Sequence, residues 1–353
     1  METKITQTNT NSPLDWIDNL RVLATISVIF LHVSASITAK FGTISFISWT
    51  IGNVYNSSVR FCVPIFVMIT GALLLPRDYE ISDFLKKKVG RIVLPFVFWG
   101  SIYVAFLVFV KVSKGFKFTF LKTIQYLYEV IQNGIYLHFW YVYMIIGLYL
   151  FIPILGRWAR NSTEKEILYF LILWSCIVCF NYPIFSKYKI DFNLSYFSGF
   201  MGYLVLGYYL SLKSDFGKVN ANTVAIIMIG LGISSTIVGT SFASIKAGTF
   251  DKTFYEYLTP NVLLLSSGVF VFFKNQRGKY DSFKKLRMNI SKYSYGIYFV
   301  HILVLMVLNK IGINGALINP IIGVPFTTLV CLMMSLGIIY SLNKIHFTRN
   351  LAG

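Results

Sequence analysis

Apolar runs of about twenty residues recur along the whole 353-residue chain, and they limit the folds that it can adopt. A helix of that length matches the thickness of a lipid bilayer. Only 13% of the residues are charged, whereas soluble proteins carry about a quarter. The sequence therefore predicts an all-α, polytopic integral membrane protein with about ten transmembrane helices. The predicted spans fall near residues 20–38, 59–75, 92–110, 139–155, 167–184, 196–212, 223–240, 258–273, 293–309 and 319–341.

The second of these runs has an ambiguous start, because apolar residues begin already near Ile44. A long tilted helix fits this stretch, and so does a half-inserted segment that precedes the span. A further amphipathic piece at 120–128 lies in the long loop before the fourth span and is typical of a helix at the membrane surface.

The distribution of Lys and Arg predicts the orientation. With a cytoplasmic N-terminus, about two thirds of the 32 Lys and Arg residues fall on the cytoplasmic side, most of them in the second and eighth loops. We therefore predict one transmembrane domain over residues 1–353, with a short cytoplasmic segment at 1–18 and a short cytoplasmic tail at 342–353. The positive charges lie in clusters between apolar runs, so the net charge of +18 does not indicate a nucleic-acid partner.

The first span contains the densest set of polar side chains. Arg21 and His32 are eleven residues apart, which places them on nearly the same line of a helix and roughly 16 Å apart along its axis. Asp18, Thr25 and Ser36 belong to the same polar set. Two interpretations are open for His32: a polar seam that packs against another helix, or a proton acceptor that titrates near neutrality.

Two other histidines lie in aromatic surroundings. His301 shares one helical face with Ser294 and Tyr298 in the ninth span. His138 precedes the fourth span, where Tyr141 follows on its face. Aromatic residues and histidine gather at membrane interfaces without any catalytic role, so His138 is open to that interpretation, whereas the depth of His301 favours function.

Basic residues near the span ends are also open to two interpretations. Arg60, at the outer end of the second span, either extends its charged group towards water or points inward to bind a polar acceptor or a developing oxyanion. Lys88 and Arg91 open the third span within a cytoplasmic basic cluster. Such a cluster is either a topology signal that contacts anionic lipids or a site for the phosphates of a soluble donor.

Several site types are missing from the sequence. It has no Walker motif, no G-x-G-x-x-G, no H-E-x-x-H and no G-x-S-x-G. The three histidines lack carboxylates or cysteines at ligand spacing, so we expect no metal site. All four cysteines, at 62, 176, 179 and 331, fall in apolar runs, and we expect them to be small buried residues rather than a redox pair.

Four motifs together resemble those of the acyltransferase 3 family of membrane acyltransferases, and the resemblance covers nearly the whole chain. The first span contains WIDNLR at 16–21, with His32 eleven residues after the Arg. The stretch VPIFVMITG at 63–71 is similar to the family's V-P-x-F-F-x-x-S-G, with Thr70 in place of Ser. The remaining two motifs are FWY at 139–141 followed by Tyr149 and Pro153, and YGIYFVH at 295–301.

The resemblance implies acyl transfer from cytoplasmic acyl-CoA, with acetyl-CoA as co-substrate and no bound cofactor or metal, in the cytoplasmic (inner) membrane of a bacterium. The implied acceptor is a hydroxyl of a surface polysaccharide or of its lipid-linked precursor. The stretch at 16–21 and the one at 56–64 most resemble the members that acetylate enterobacterial common antigen. The implied catalytic residues are His32, Arg21, His301 and Arg60, and His32 acts either as a general base or as a covalent carrier of the acyl group. The implied binding residues are Arg21, Lys88 and Arg91 for acyl-CoA, and His138, Tyr141 and Tyr298 for the acceptor.

One departure from the family pattern affects the donor site. Lys88 stands where many members have the first Arg of an Arg-x-x-Arg pair, and lysine keeps the charge but loses bidentate geometry.

A rival function, from another class, is a transporter or flippase for the glycan or lipid precursor, since membrane histidines and arginines also suit a proton-coupled carrier. The sequence shows neither a two-half repeat nor paired broken helices, which disfavours the carrier. Acyl-CoA consumption by the purified protein separates the two.

Overall fold

The computed structural model describes residues 15–116, 119–132, 134–180, 182, 199–213, 220–276, 283–349 and 351–353. Its regular structure in these residues is helical, which confirms the all-α prediction. The helices are α1 (Asp15–Thr38), α2 (Phe46–Ser58), α3 (Cys62–Leu74), α4 (Ile81–Phe84), α5 (Gly90–Ser113), α6 (Phe120–Gln132), α7 (Trp140–Asn161), α8 (Glu164–Phe180), α9 (Met201–Leu212), α10 (Ala221–Ala247), α11 (Pro260–Asn275), α12 (Lys284–Lys292), α13 (Ser294–Lys310) and α14 (Pro320–Lys344). A π-helical turn at Leu85–Val89 joins α4 to α5, and a 3₁₀ turn at Thr253–Tyr255 precedes α11.

The helices have the length and composition of membrane spans. Seven helical stretches in the described residues are long and apolar enough to cross a bilayer, and the pair α12 and α13 adds an eighth if it is counted as one span. Each of the ten predicted runs overlaps a helix. The helix α12 meets α13 at an angle of 82°, so α12 does not continue the axis of that span. The prediction of a polytopic membrane protein is therefore confirmed.

The second predicted span is a broken helix. Helices α2 and α3 together cover Phe46–Leu74, and the helical pattern is interrupted at 59–61. Pro64 lies in the first turn of α3, where its missing N–H would have no helical acceptor. The side-chain amide of Asn56 donates hydrogen bonds to the Leu31 carbonyl (3.0 Å) and to Ser34 Oγ (2.9 Å). These bonds hold the break against the middle of α1.

Helices α3 and α9 approach so closely that only glycine fits at two contact points. A Cβ atom at Gly71 would overlap the Leu204 carbonyl oxygen, and one at Gly207 would overlap the Met68 carbonyl oxygen. Small residues at such contacts are typical of helices that pack within membranes. The pair therefore forms a rigid wall of the protein, beside the inner half of α1.

The predicted cytoplasmic ends lie on one side of the molecule. Arg160 at the end of α7 donates to the carbonyl oxygens of Leu75 (3.0 Å) and Arg77 (2.6 Å) in the second loop. Lys213 after α9 forms an ion pair with Glu164 at the start of α8 (2.5 Å). These bonds join loops that the charge distribution assigns to the same side, as the alternation of spans requires. The side of the membrane to which this face belongs stays a prediction.

The expectation that all four cysteines are buried is wrong for two of them. Cys62 and Cys331 are buried as predicted, but Cys176 and Cys179 are exposed on α8. An apolar residue in a membrane helix has two acceptable environments, the protein interior and the lipid, and hydropathy alone does not separate them. The amphipathic stretch at 120–128 does form a helix, α6, as the pattern indicates.

Candidate active site

Three histidines from separate parts of the chain meet near the middle of the structure. The His32 ring on α1 lies 5.2 Å from the His301 ring on α13, measured between ring centroids. The His138 ring, just before α7, lies 5.7 Å from the His301 ring. Tyr298 contacts both His138 and His301, with centroid distances of 5.4 and 5.9 Å, and Tyr141 lies 5.3 Å from Tyr298. The structure thus brings together five of the predicted site residues, which we name the histidine cluster.

The backbone determines which nitrogen of His301 carries the proton. The His301 side chain is fully buried, and its Nδ1 atom lies 2.6 Å from the Tyr298 carbonyl oxygen and 3.2 Å from that of Ile297. A carbonyl oxygen only accepts hydrogen bonds, so Nδ1 must donate. In the neutral ring, Nε2 then carries the lone pair. This Nε2 atom is buried and has no partner among the described residues.

His138 is buried inside the protein. Its side chain is 2% exposed, and both of its ring nitrogens are buried without a hydrogen-bond partner in the described residues. The Tyr298 hydroxyl donates to the His138 backbone carbonyl, which ties the segment before α7 to α13. Tyr103 on α5 packs its ring 5.2 Å from that of His138 and donates to the Phe299 carbonyl (2.8 Å). Buried polar atoms without partners are costly, so they indicate a ligand-binding or catalytic role.

An inner cavity of about 240 Å³ has Arg21, near the predicted cytoplasmic end of α1, and two members of this cluster in its wall. Arg21 lines one part of it, and Tyr141 and Tyr298 line another. The other lining residues are apolar or hydroxylated side chains from α3, α5, α7 and α13: Phe66, Ile69, Thr70, Leu73, Leu74, Ile92, Ile145, Tyr149, Ser294 and Tyr295. The cavity therefore presents a cation at one part of its wall and the aromatic residues of the cluster at another.

Arg21 is held in place by two side chains. Its Nη1 atom donates to Asp18 Oδ1 and to Ser291 Oγ, both at 3.1 Å, and the Ser291 hydroxyl donates to the same Asp18 oxygen at 2.6 Å. Nearby, Arg287 of α12 donates to the side chain of Asn19 at 2.8 Å. The sequence groups Asp18 with Arg21 in the polar set of the first span. It gave no signal for Ser291, because a serine 270 residues away has no pattern that links it to α1.

His32 lines a second cavity, of about 260 Å³, that reaches the predicted outer side. The wall includes Ser36 from α1, Leu137 from the segment before α7 and Asn314 from the loop after α13. Leu137 is 85% exposed, so this cavity is open at its outer rim. His32 therefore stands between an outer opening and the His301 ring.

Arg60 lies apart from the His32 cavity. It lines a third cavity, of about 620 Å³, with its guanidinium carbon 3.8 Å from the centre of the Tyr255 ring. It donates to the Tyr255 carbonyl oxygen (3.2 Å) and to the side-chain oxygen of Asn56. The sequence allowed Arg60 to face water or the interior. The structure places it against the wall of an outer cavity.

Lys88 and Arg91, the predicted donor-site residues near the start of α5, lie at its predicted cytoplasmic end. Lys88 belongs to the π-helical turn before α5, and Arg91 is exposed in the first turn of α5. Arg91 directly precedes Ile92, which lines the inner cavity. The neighbouring Lys87 is engaged with Asp83 (2.8 Å). No group of His, Cys, Asp and Glu within the described part of the chain could hold a metal ion.

The fold and this cluster define a class: a polytopic membrane protein with three clustered histidines, one of which, His32, lines a cavity. The acyltransferase domain model of the acyltransferase 3 family matches residues 14–342. The chain therefore belongs to the acyltransferase 3 family and is a membrane acyltransferase. It is 22% identical over 342 residues to YfiQ of Bacillus subtilis (strain 168), provisionally described as a membrane-bound acyltransferase, with 93% of this chain and 91% of that protein covered. No solved structure matches the chain.

Proposed function

We propose that this protein transfers an acyl group, specifically acetyl, from cytoplasmic acyl-CoA to a hydroxyl of a surface polysaccharide or its lipid-linked precursor. The observation that carries the proposal is that the inner cavity and the His32 cavity each have members of the histidine cluster in their walls, Tyr141 and Tyr298 in the first and His32 in the second. In this proposal a donor and an acceptor approach from opposite sides and react at the cluster. Such an arrangement suits a two-substrate transfer across a membrane, since neither substrate has to cross.

Arg21, Lys88 and Arg91 provide the positive charge for the donor. The phosphates of acyl-CoA bind these cations at the cytoplasmic end, because guanidinium and ammonium groups form charge-assisted hydrogen bonds with phosphate. The pantetheine arm, which is slender and uncharged, then lies in the inner cavity between Thr70 and Tyr149. In this pose its thioester reaches Tyr141 and Tyr298, next to His301.

His32 acts as the base. It takes the proton of the acceptor hydroxyl, the oxygen attacks the thioester carbonyl carbon, and a new C–O bond forms. The C–S bond then breaks, and the thiolate of CoA takes the proton back from His32, which leaves an ester and a free thiol. His301, whose Nε2 carries a lone pair, accepts a hydrogen bond from the protonated His32 ring directly or through a bridging hydroxyl.

The remaining polar residues position the reactants. His138 and Tyr298, whose rings lie 5.4 Å apart, act on the thioester carbonyl oxygen. Tyr141 contacts Tyr298 and forms the wall against which the acyl group rests. Arg60 acts from the outer side, on the acceptor. These roles agree with a reaction in the cytoplasmic membrane of a bacterium, where acyl-CoA lies on one side and surface glycans mature on the other.

The proposal is tested with detergent-purified protein, acetyl-CoA labelled in the acetyl group and a membrane glycan extract. We expect label to enter the glycan as an ester that hydroxylamine releases, with one free thiol formed per ester. Movement of glycan across proteoliposomes without consumption of acetyl-CoA would instead identify the carrier function. Label in glycan with succinyl-CoA but not with acetyl-CoA would correct the acyl group and keep the reaction type.

A further inference from the structure

The cavity beside Arg60, at about 620 Å³, is larger than the inner cavity and the His32 cavity. Its walls come from the outer end of α1, the start of α7 and the loop before α11. Aromatic side chains form much of the lining: Trp140, Phe200, Phe250, Tyr255 and Tyr257. Trp140 and Tyr257 are stacked, with ring centroids 5.6 Å apart and an interplanar angle of 25°. Rigid aromatic walls of this kind suit the flat apolar faces of sugar rings.

The charge of Arg60 is not neutralised by a carboxylate. In the described part of the chain, no acidic side chain forms an ion pair with Arg60, whereas the other cation of the cavity, Lys252, pairs with Glu256 at 3.8 Å. The cavity therefore carries one uncompensated positive charge. The Arg60 Nε atom is buried and has no hydrogen-bond partner among the described residues. Arg60 is half-buried, and a cation taken out of water without a counter-ion is costly, which indicates that an anionic ligand supplies the missing partner.

The cavity is also close to the proposed base. Ala35 of α1 lines it and lies three residues after His32, which is about 4.5 Å further along the helix axis. Thr38 and Ala39 continue the same wall outward. A ligand held by Arg60 would thus lie on the outer side of His32, within the length of a disaccharide.

We propose that the cavity around Arg60 and Trp140 binds an anionic group carried by the acceptor glycan, so that the protein selects acidic acceptors. The anion is either a sugar carboxylate or the phosphate of a lipid carrier, since both pair with guanidinium. Arg60 binds the charge while Trp140 and Tyr257 hold the adjoining ring. This inference rests on the proposed function for the identity of the ligand as acceptor, but anion binding is measurable without turnover.

The test is a titration of the detergent-purified full chain, followed by tryptophan fluorescence and by calorimetry. The probes are methyl glucuronide, methyl glucoside as its neutral counterpart, and a short-chain isoprenyl phosphate. We expect at least one anionic probe to bind tenfold or more tightly than the glucoside. Selective binding of glucuronide identifies the sugar carboxylate as the source, and selective binding of isoprenyl phosphate identifies the carrier.

The variant Arg60→Gln should abolish this preference, and Lys246→Gln, an exposed charge change at the outer end of α10, should keep it. Because Arg60 also bonds Asn56 and Tyr255, a second variant, Trp140→Leu, removes the aromatic wall while leaving those bonds, and it should weaken the anionic probe several-fold. Equal binding of all three probes by the wild type, no binding of any, or an unchanged preference in folded Arg60→Gln would overturn the inference. Release of thiol from acetyl-CoA, measured separately, reports on the proposed function, so the two ideas fail independently.

Discussion

His301 has its Nδ1 proton committed to the Tyr298 carbonyl, and its Nε2 atom faces the histidine cluster without a partner. Fixing one nitrogen by a backbone bond is a common way to orient a histidine for proton transfer. Arg21 is fixed in the same manner by Asp18 and Ser291. Hydrogen bonds thus position individual residues of this site. A substitution can therefore test the positioning of a residue separately from its chemical role.

Replacing His301 with asparagine tests the role of Nε2 separately from that of Nδ1. Asparagine places an N–H donor near the Nδ1 position, so the bond to Tyr298 is retained while the Nε2 lone pair is lost. We expect about 10²-fold or greater loss in the rate of acyl transfer with little change in thermal stability, in the range typical of general acid–base residues. The measurement is kcat for thiol release next to a melting curve. Full activity in His301→Asn would show that Nε2 takes no part.

Ser291→Ala tests the positioning of Arg21. Removing this hydroxyl takes one of the two partners from the Arg21 Nη1 atom without changing any charge. Because Arg21 is expected to act on the donor phosphates, KM for acetyl-CoA should rise several-fold while kcat stays within about twofold, as for a loss of uniform binding. Titration of acetyl-CoA at saturating acceptor measures both constants. A fall in kcat with constant KM would assign Arg21 to the chemical step instead.

At the scale of elements, close packing of α3 against α9 holds one wall of the inner cavity. The contact rests on Gly71 and Gly207, each of which meets backbone of the other helix. Hydropathy predicts both helices, but it does not predict which residues lie at their contact, because glycine in a span has several uses. The sequence also left the form of the second span open, because apolar residues begin already near Ile44, and the structure shows a break between α2 and α3.

Gly71→Ala should destabilise the protein. The added methyl group would overlap the Leu204 carbonyl oxygen, and such overpacking costs about 1–3 kcal/mol. We expect a lower melting temperature in detergent and a loss of monodisperse protein on size-exclusion chromatography. Gly230→Ala in α10 is the matched control, since a Cβ there meets nothing within 4 Å. Equal melting temperatures of the two variants would contradict the packing described for α3 and α9.

At the scale of the whole molecule, the class of fold was predictable from the sequence, and so was the placement of Arg21 and His32 on one helix. The class of fold was predictable because charge bias and apolar length are properties of single segments. Arg21 and His32 lie on one helix, so helical geometry alone relates their positions. The approach of His138 to His301 was not predictable, because it depends on a non-helical segment that leads into α7 from the outer side. The separation of Arg60 from the His32 cavity likewise depends on how α2, α3 and the loop before α11 pack.

The orientation of the protein in the membrane can be tested by labelling introduced cysteines. In a background without the four native cysteines, Asn161→Cys lies at the predicted cytoplasmic end of α7, and Lys246→Cys lies at the predicted outer end of α10. In intact spheroplasts, a membrane-impermeant maleimide should label the second variant and leave the first unlabelled until the cells are lysed. The reverse pattern would invert the topology, and with it the assignment of donor and acceptor cavities.

The central claim is that His32 is the base for acyl transfer from acetyl-CoA. The most direct measurement is the release of free thiol from acetyl-CoA, with a glycan extract present, by purified wild type, His32→Ala and His346→Ala. His346 is an exposed histidine near the end of the chain and controls for the loss of an imidazole. We predict release by wild type and His346→Ala, and at least about 10²-fold slower release by folded His32→Ala. Equal rates for all three proteins would contradict the account.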